Sequence, residues 1–436
     1  MKSDTRTYPL RQPAKHNPPP RLHLVFPKTQ KQVFTAYIGI QLHSQTCKNT
    51  KGALSLLSEP RSKIQTWLEE FTPISTEQFF VLDDTPNHRQ ISAPTQVQAQ
   101  SQDPNSSSIK KYTTLIWACY WSTQDSYQKA LADLNLSSMH TSLPESLRPF
   151  SGFWAECFIS DIARLETVYS ATDYMPGLAR LPGTSTTKHL HTGYWGAARD
   201  RIPGSGEDLF TGDGTVFSDG NGESTAAAEE GEREDVDFQS SLGSNITGTN
   251  PSDMVHIRSG QFWGNCNEEE ASAYLDNLEP KLRGGLLYLW NSPEESGSLG
   301  VRYLRNTNAT LDLGSSLEGK NSENEGKEDL DADANVETDL SIANFLDTCP
   351  KETCVTAFFK NMADLEKWAS KHPSHLAIHA GAVSHARRFG DARRFRTWHE
   401  VSVIRGGDAR FEYVNCVEGT GVFKGMVSVQ RMREEC

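Results

Sequence analysis

Apolar positions along the chain follow two periods in succession, and the succession repeats. TTLIWACYWSTQDSYQKALADL, residues 113–134, alternates as an apolar strand, breaks at a polar turn and continues with helical spacing. ETCVTAFFKNMADLEKWASKHP, residues 352–373, reads the same way, with matching apolar spacing in the helix. GFWAECFIS (152–160) and RTWHEVSVI (396–404) are each a strand with Trp, one residue, then Glu. Residues 254–291 would open a second half with a strand and helix, and residues 23–41 would open the first.

The pattern predicts an α+β fold with helices on one face of antiparallel sheet. Two ferredoxin-like halves, about 21–200 and 254–436, would join into one barrel-like domain over residues 21–436, with a pocket between sheet and helices. The repeat exposes one difference. Where the second half has Trp398, His399 and Glu400, the first has Trp154, Ala155 and Glu156. The fold accepts alanine at that position, so it does not by itself require His399.

Composition narrows the folded part. Only 36% of residues are apolar and the mean hydropathy is −0.56, so a smaller core with polar insertions is expected. Residues 204–253 hold twelve acidic residues and one Arg, and residues 315–340 hold nine acidic residues and two Lys. Those two segments carry −18 together against −13 for the whole chain, which leaves the remainder near +5. Both are rich in Gly, Ser and Glu and poor in aromatics, as is 85–108 apart from its charge. They read as disordered surface insertions, with an acidic partner-binding tail as the functional alternative. Residues 1–20 read as a disordered N-terminal tail.

No run of eighteen apolar residues occurs and the N-terminus lacks an apolar signal segment, so a soluble, cytoplasmic protein is expected, with no membrane and no nucleic-acid partner. The eight cysteines are scattered, which favours reduced thiols over a disulfide framework or a zinc ribbon.

Three stretches carry candidate chemistry. HPSHLAIHAGAVSHARRFGDARRFRTWHEV, residues 372–401, holds five of the thirteen histidines. His375 and His379 are one helical turn apart, on a face with Ile378 and Ala382. An amphipathic helix bearing ordinary histidines is the plain reading. Zinc would need three or four ligands, and neither an HExxH glutamate nor a nearby Cys is present. A haem needs only one axial imidazole among small and apolar residues, which His375-Leu-Ala-Ile-His-Ala-Gly-Ala supplies. In HTGYWGAARDRIPGS (191–205), Arg199 and Arg201 are either surface charge or donors to a carboxylate or polar substrate. In HIRSGQFWGNC (256–266), Ser259 is a turn serine or a pocket hydroxyl at a strand end.

Together with PGLARL (176–181), KNMADLEKWASKHPSHLAIHAGA, WHEVSV and FEYVNC (411–416), these stretches resemble the haem-containing aldoxime dehydratases, in particular the phenylacetaldoxime dehydratase type. The likeness runs from about residue 20 to the end, outside the three insertions. It implies haem b, ferrous in the active state, in a dimeric α+β barrel-like domain, and dehydration of small aldoximes, R-CH=N-OH, to nitriles, with arylalkyl substrates expected and a homodimer possible in this fold.

Carried over residue by residue, the resemblance places the proximal iron ligand at His375, with His379 and His372 as rivals. The distal catalytic histidine falls on His399, the distal serine on Ser259, and the distal arginine on Arg199 or Arg201. Glu156 matches a pocket carboxylate. Trp195, Phe262 and Trp263 either line an apolar substrate site or belong to the core. A peroxidase-like enzyme and a haem-binding sensor or carrier are the rival functions.

Overall fold

The computed structural model describes residues 6–43, 56–83, 112–210, 242–307, 345–417, 419–422 and 430–433. Fourteen strands are assigned among them: β1 Arg21–Val25, β2 Gln32–His43, β3 Ser75–Asp83, β4 Tyr112–Trp121, β5 Ser151–Asp161, β6 Leu165–Tyr169, β7 Ser185–His189, β8 Ser244–Thr249, β9 Met254–Phe262, β10 Ser298–Asn306, β11 Glu352–Phe359, β12 Arg396–Ile404, β13 Ala409–Val414 and β14 Gln430–Arg433. The helices used below are α1 Ser58–Phe71, α2 Gln124–Asp133, α3 Leu136–Thr141, α4 Ala197–Arg201, α5 Glu268–Ala273, α6 Glu279–Asn291, α7 Met362–Lys371 and α8 Pro373–Phe389.

All fourteen strands join one sheet, in the order β14-β8-β13-β5-β2-β4-β3-β10-β11-β9-β12-β6-β1-β7, and neighbouring strands pair antiparallel throughout. Its centre holds two βαββαβ units of identical order, β5-β2-β4-β3 and β12-β9-β11-β10, joined where β3 pairs with β10. The sheet curls until β5 meets β12, where Ser402 Oγ donates to Ser160 Oγ at 2.6 Å. The two ferredoxin-like halves predicted from the repeat are therefore present, in an α+β barrel.

Alternation assigns the faces. Trp154, Phe158, Trp398, Ile404 and Phe411 point into the barrel, while Phe153, Cys157, Val255, Val401 and Val403 point outward under helices. The helices cover that outer face through Trp67 and Leu68 of α1, Tyr127 and Ala130 of α2, Leu282 and Leu286 of α6, and Leu365 and Trp368 of α7. Inside, the repeat's tryptophans are matched by glycines on the neighbouring strand. Trp154 pairs with Gly39 and Trp398 with Gly260, and a methyl group on either glycine would overlap the facing indole.

Two boundaries need correction. The insertion expected at 204–253 contains β8, which pairs with β13 and buries Ile246, and Pro203–Gly206 is an ordered turn. The alternation of SNITGT was hidden inside acidic, Gly-rich sequence. The tail expected at 1–20 is ordered from residue 6 onward: Arg11 N donates to Asp200 at 2.9 Å and Tyr8 N to the Gly206 carbonyl at 3.0 Å. Residues 85–108 and 315–340 lie outside the described residues.

Candidate active site between the second-half sheet and helix α8

The site begins with the break between α7 and α8. Pro373 cannot donate to a continuing helical ladder, so α7 stops and α8 starts in a new direction with proline in its first turn. His372 caps α8, its Nδ1 accepting from Ser374 N at 3.3 Å, and its ring stacks on Tyr288 with centroids 3.5 Å apart. Those two roles occupy His372. His379 is exposed beside Trp195, 5.3 Å between centroids.

Two α8 histidines turn inward: His385, packed on Phe389 and Phe395 further along the helix, and His375 in the first turn. Its ring packs edge-on against Trp368, 4.7 Å between centroids, and burial pushes its pKa down to about 4. Its Nδ1 is buried with no hydrogen-bond partner, and the Ala369 backbone favours the protonated ring. A metal-binding histidine usually donates its second ring N-H to a backbone carbonyl or carboxylate. Ile378 and Gly381 set α8 close on α6, through Gly285 and Lys281.

On the outer face of the second half, β9 and β12 run side by side. His399 is the direct cross-strand partner of Ser259, and on its other side it pairs with Val168 of β6. Ser259 is not at a strand end or in a turn, as expected, but inside β9. Ile257, Ser259, Thr397 and His399 all keep partial accessibility, although their strands are central in the sheet. Among these four, His399 is the one imidazole, on the same outer face as Ser259. Its pKa is pushed down to about 3, first by burial and then by the charges of Arg201, His375 and Arg21. That set places His375 and Arg201 within electrostatic reach of His399.

The two candidate arginines separate in space. In the short helix α4, Arg201 Nε donates to Glu166 at 2.5 Å and its Nη1 to the His191 carbonyl at 2.7 Å. Glu166 pairs with Val401, on the face that carries His399. Arg199 turns away and clamps Glu366 of α7, Nε to Oε1 at 3.0 Å and Nη2 to Oε2 at 2.7 Å, with Arg11 on the same carboxylate at 3.1 Å. Arg201 therefore faces the site and Arg199 ties its covering segment to α7.

Glu156 is a correction. It points into the barrel, where Arg302 holds both its oxygens at 2.6 and 2.7 Å and Tyr413 donates at 2.7 Å. Its side chain is on the face opposite to the one homologous with His399, so it is a partner of a buried arginine rather than a pocket carboxylate. Glu400 occupies the corresponding place, accepting from Tyr169 at 2.9 Å and from Leu178 N at 2.7 Å, and burial pushes its pKa up to about 7. Trp263 packs on Tyr274 within a small core cluster and Phe262 stacks on Tyr174, while Trp195 is 48% exposed. Sequence reasoning missed Glu166 and Glu366, because each meets its arginine across a long sequence separation with no local pattern to announce it.

Helix α8 therefore presents His375 and, further along, the buried His385, while the outer sheet face carries Ser259 and a further imidazole, His399. A haem needs a single axial imidazole from the protein, and His375, packed against Trp368, is of that kind. The model of haem-containing dehydratases matches residues 36–422. The chain belongs to that family.

Curated relatives agree with the match. An aliphatic aldoxime dehydratase of Rhodococcus globerulus is 27% identical over 317 residues, 72% of this chain and 73% of its own length. The phenylacetaldoxime dehydratase of Bacillus sp. (strain OxB-1) is 24% identical over 311 residues, 71% and 73% of the two chains. Among solved structures, an aldoxime dehydratase in complex with butyraldoxime superposes with a TM-score of 0.65 at 21% identity, covering 96% of this chain and 93% of that one. A second aldoxime dehydratase structure gives 0.64 at 22% identity, covering 96% and 95%. The family resemblance read from the sequence is thus correct, and the chain is a haem-dependent lyase. Among the described residues no helix is long and apolar enough to cross a membrane.

Proposed function

We propose that this enzyme dehydrates aldoximes, R-CH=N-OH, to nitriles and water, with haem b held by His375 and proton transfer carried by His399. The cross-strand pairing of Ser259 with His399, opposite the inward His375, is the observation that carries the reading. The reaction is difficult because hydroxide leaves poorly and the aldehydic C-H is weakly acidic, so the oxygen must gain a proton as the N-O bond breaks. Ferrous haem, when bound, supplies an electron-accepting site for the oxime nitrogen.

The chain's own groups do the rest. Ser259 hydrogen-bonds the oxime hydroxyl and holds it toward the adjacent His399, which shortens the proton path to one hydrogen bond. His399 gives that oxygen a proton and, once water has left, is the base that takes the carbon-bound proton. Arg201, fixed by Glu166, keeps positive charge beside the departing oxygen, and the same charge makes a protonated His399 a strong acid. Arg199 is a positioning residue that ties α4 to α7.

We assign arylalkyl aldoximes such as phenylacetaldoxime as substrates, since Ile257 and Val168 flank the Ser259–His399 pair with apolar surface. The test is product analysis. Haem-loaded, dithionite-reduced enzyme is given phenylacetaldoxime and butyraldoxime separately, and nitrile is quantified. Higher kcat/KM for phenylacetonitrile formation supports the substrate class, preference for butyraldoxime replaces it with an aliphatic one, and haem without either nitrile overturns the reaction in favour of a sensor or peroxidase.

A further inference from the structure

The sheet face that bears Ser259 and His399 continues outward through β6, β1 and β7. Thr397 meets Ser170, its N-H donating to Ser170 Oγ at 3.0 Å, and the register brings Leu22 opposite Tyr169 and Arg21 opposite His189. Leu22 and Tyr169 belong to the barrel side, so Arg21 and His23 share the outer face with His399.

Charge on that face is not balanced by protein. Arg199, Arg201 and Arg396 each hold a carboxylate, Arg396 with both oxygens of Asp173 at 2.5 and 2.7 Å. Among the described residues the Arg21 guanidinium makes no hydrogen bond or ion pair, and Arg393 has a buried Nε without a partner and the Phe395 ring beneath its guanidinium, at 5.3 Å. Burial lowers the pKa of both, that of Arg393 to about 10 with the charge of Arg21 adding to the shift. His189 is 8% exposed with neither ring nitrogen hydrogen-bonded, and it stacks on His23 at 5.3 Å between centroids. Two desolvated guanidiniums near one another, neither in an ion pair among the described residues and with Glu270 offsetting only part of the charge, are costly, and the cost is removed by carboxylates that each take paired N-H donors.

We propose that Arg21 and Arg393, with His189 as a neutral donor, anchor the two propionate groups of the haem. This rests on the haem reading and assigns the porphyrin's carboxylate end to the β1 side of the cavity. Strand β1 delivers Arg21 to the outer face of the second half; β8, in the corresponding place beside the first half, carries no arginine.

The test compares two porphyrins on haem-depleted full-length protein: protohaem, and its dimethyl ester, which lacks both carboxylates. Binding is followed by the Soret band and by quenching of tryptophan fluorescence. Arg21→Gln with Arg393→Gln should weaken protohaem binding by about tenfold or more per guanidinium and leave the ester's affinity unchanged. Arg21→Lys with Arg393→Lys should recover most of the protohaem affinity, which separates lost charge from lost folding. Unchanged protohaem affinity in the glutamine variant, or equal loss of both porphyrins, overturns the assignment while leaving the haem reading intact. Wild-type protein that takes up neither porphyrin overturns both.

Discussion

Ser259 and His399 stand directly opposite one another on antiparallel neighbours β9 and β12, with both side chains on the outer face of the sheet. Two rigid central strands fix their separation, so the hydroxyl and the imidazole are placed without help from a loop. A substitution that removes one group should leave the frame of the other in place.

His399→Ala should therefore retain haem and fold normally while losing turnover by about 10² to 10⁴-fold, the range for a lost acid or base. Ser259→Ala should lose less, and chiefly in kcat. Steady-state kinetics on variants matched for Soret absorbance checks both. Normal turnover by the alanine variant of His399 would remove it from the chemistry.

His375→Ala should lose haem or its axial-ligand spectrum, whereas His379→Ala and His372→Ala should keep it. His379 is exposed and His372 is engaged as the α8 cap and on Tyr288. Ferrous spectra of the three variants decide among them, and a wild-type spectrum in His375→Ala would move the ligand elsewhere.

Much of this was legible in the sequence, for a physical reason. Strand and helix periods and the Trp-x-Glu repeat depend on local alternation, so the two halves and the singular place of His399 could be read directly. What could not be read were meetings across the sheet. Arg201 and Arg199 differ by two positions, yet one turns to Glu166 and the other to Glu366. Glu156 carries a motif match but shares the barrel side with Trp154, two residues before it, as strand alternation requires. Residues 6–20 have no apolar pattern, and they are ordered by polar contacts to Asp200, Thr192 and Glu366 instead.

Glu156→Gln should expose that distinction. Removing one charge from the buried pair with Arg302 should cost on the order of 3–5 kcal/mol. The activity per folded, haem-loaded molecule should stay close to wild type. Urea denaturation and kinetics on the same preparation test the two parts, and a large kcat loss with unchanged stability would return Glu156 to the active site.

Gly260→Ala should be destabilising at the upper end of the overpacking range, about 1–3 kcal/mol, because its methyl would meet the Trp398 indole and the strand cannot retreat within the sheet. Gly39→Ala should behave alike against Trp154. A shift of the urea midpoint at constant slope is the expected result.

The depressed pKa of His399 has a pH signature. The unfolded chain takes up a proton near pH 6.5, whereas the folded haem-free protein resists it until about pH 3. The unfolded state binds more protons in that window, so this contribution to stability is full above about pH 6.5 and is lost as pH falls toward 3, by about 1.4 kcal/mol per pH unit at most. His399→Asn should flatten the dependence of stability on pH between 7 and 5. An unchanged slope would mean that the ring is not held neutral.

The central claim is that a haem lies between His375 and the Ser259–His399 pair and that an aldoxime reacts there. Its most direct test is an anaerobic titration of the dithionite-reduced, haem-loaded enzyme with phenylacetaldoxime, following the Soret band and nitrile together. The account predicts a Soret shift on mixing and stoichiometric phenylacetonitrile in the wild type, with the shift kept and the nitrile lost in His399→Ala. A haem spectrum that neither shifts nor yields nitrile with any aldoxime would contradict it.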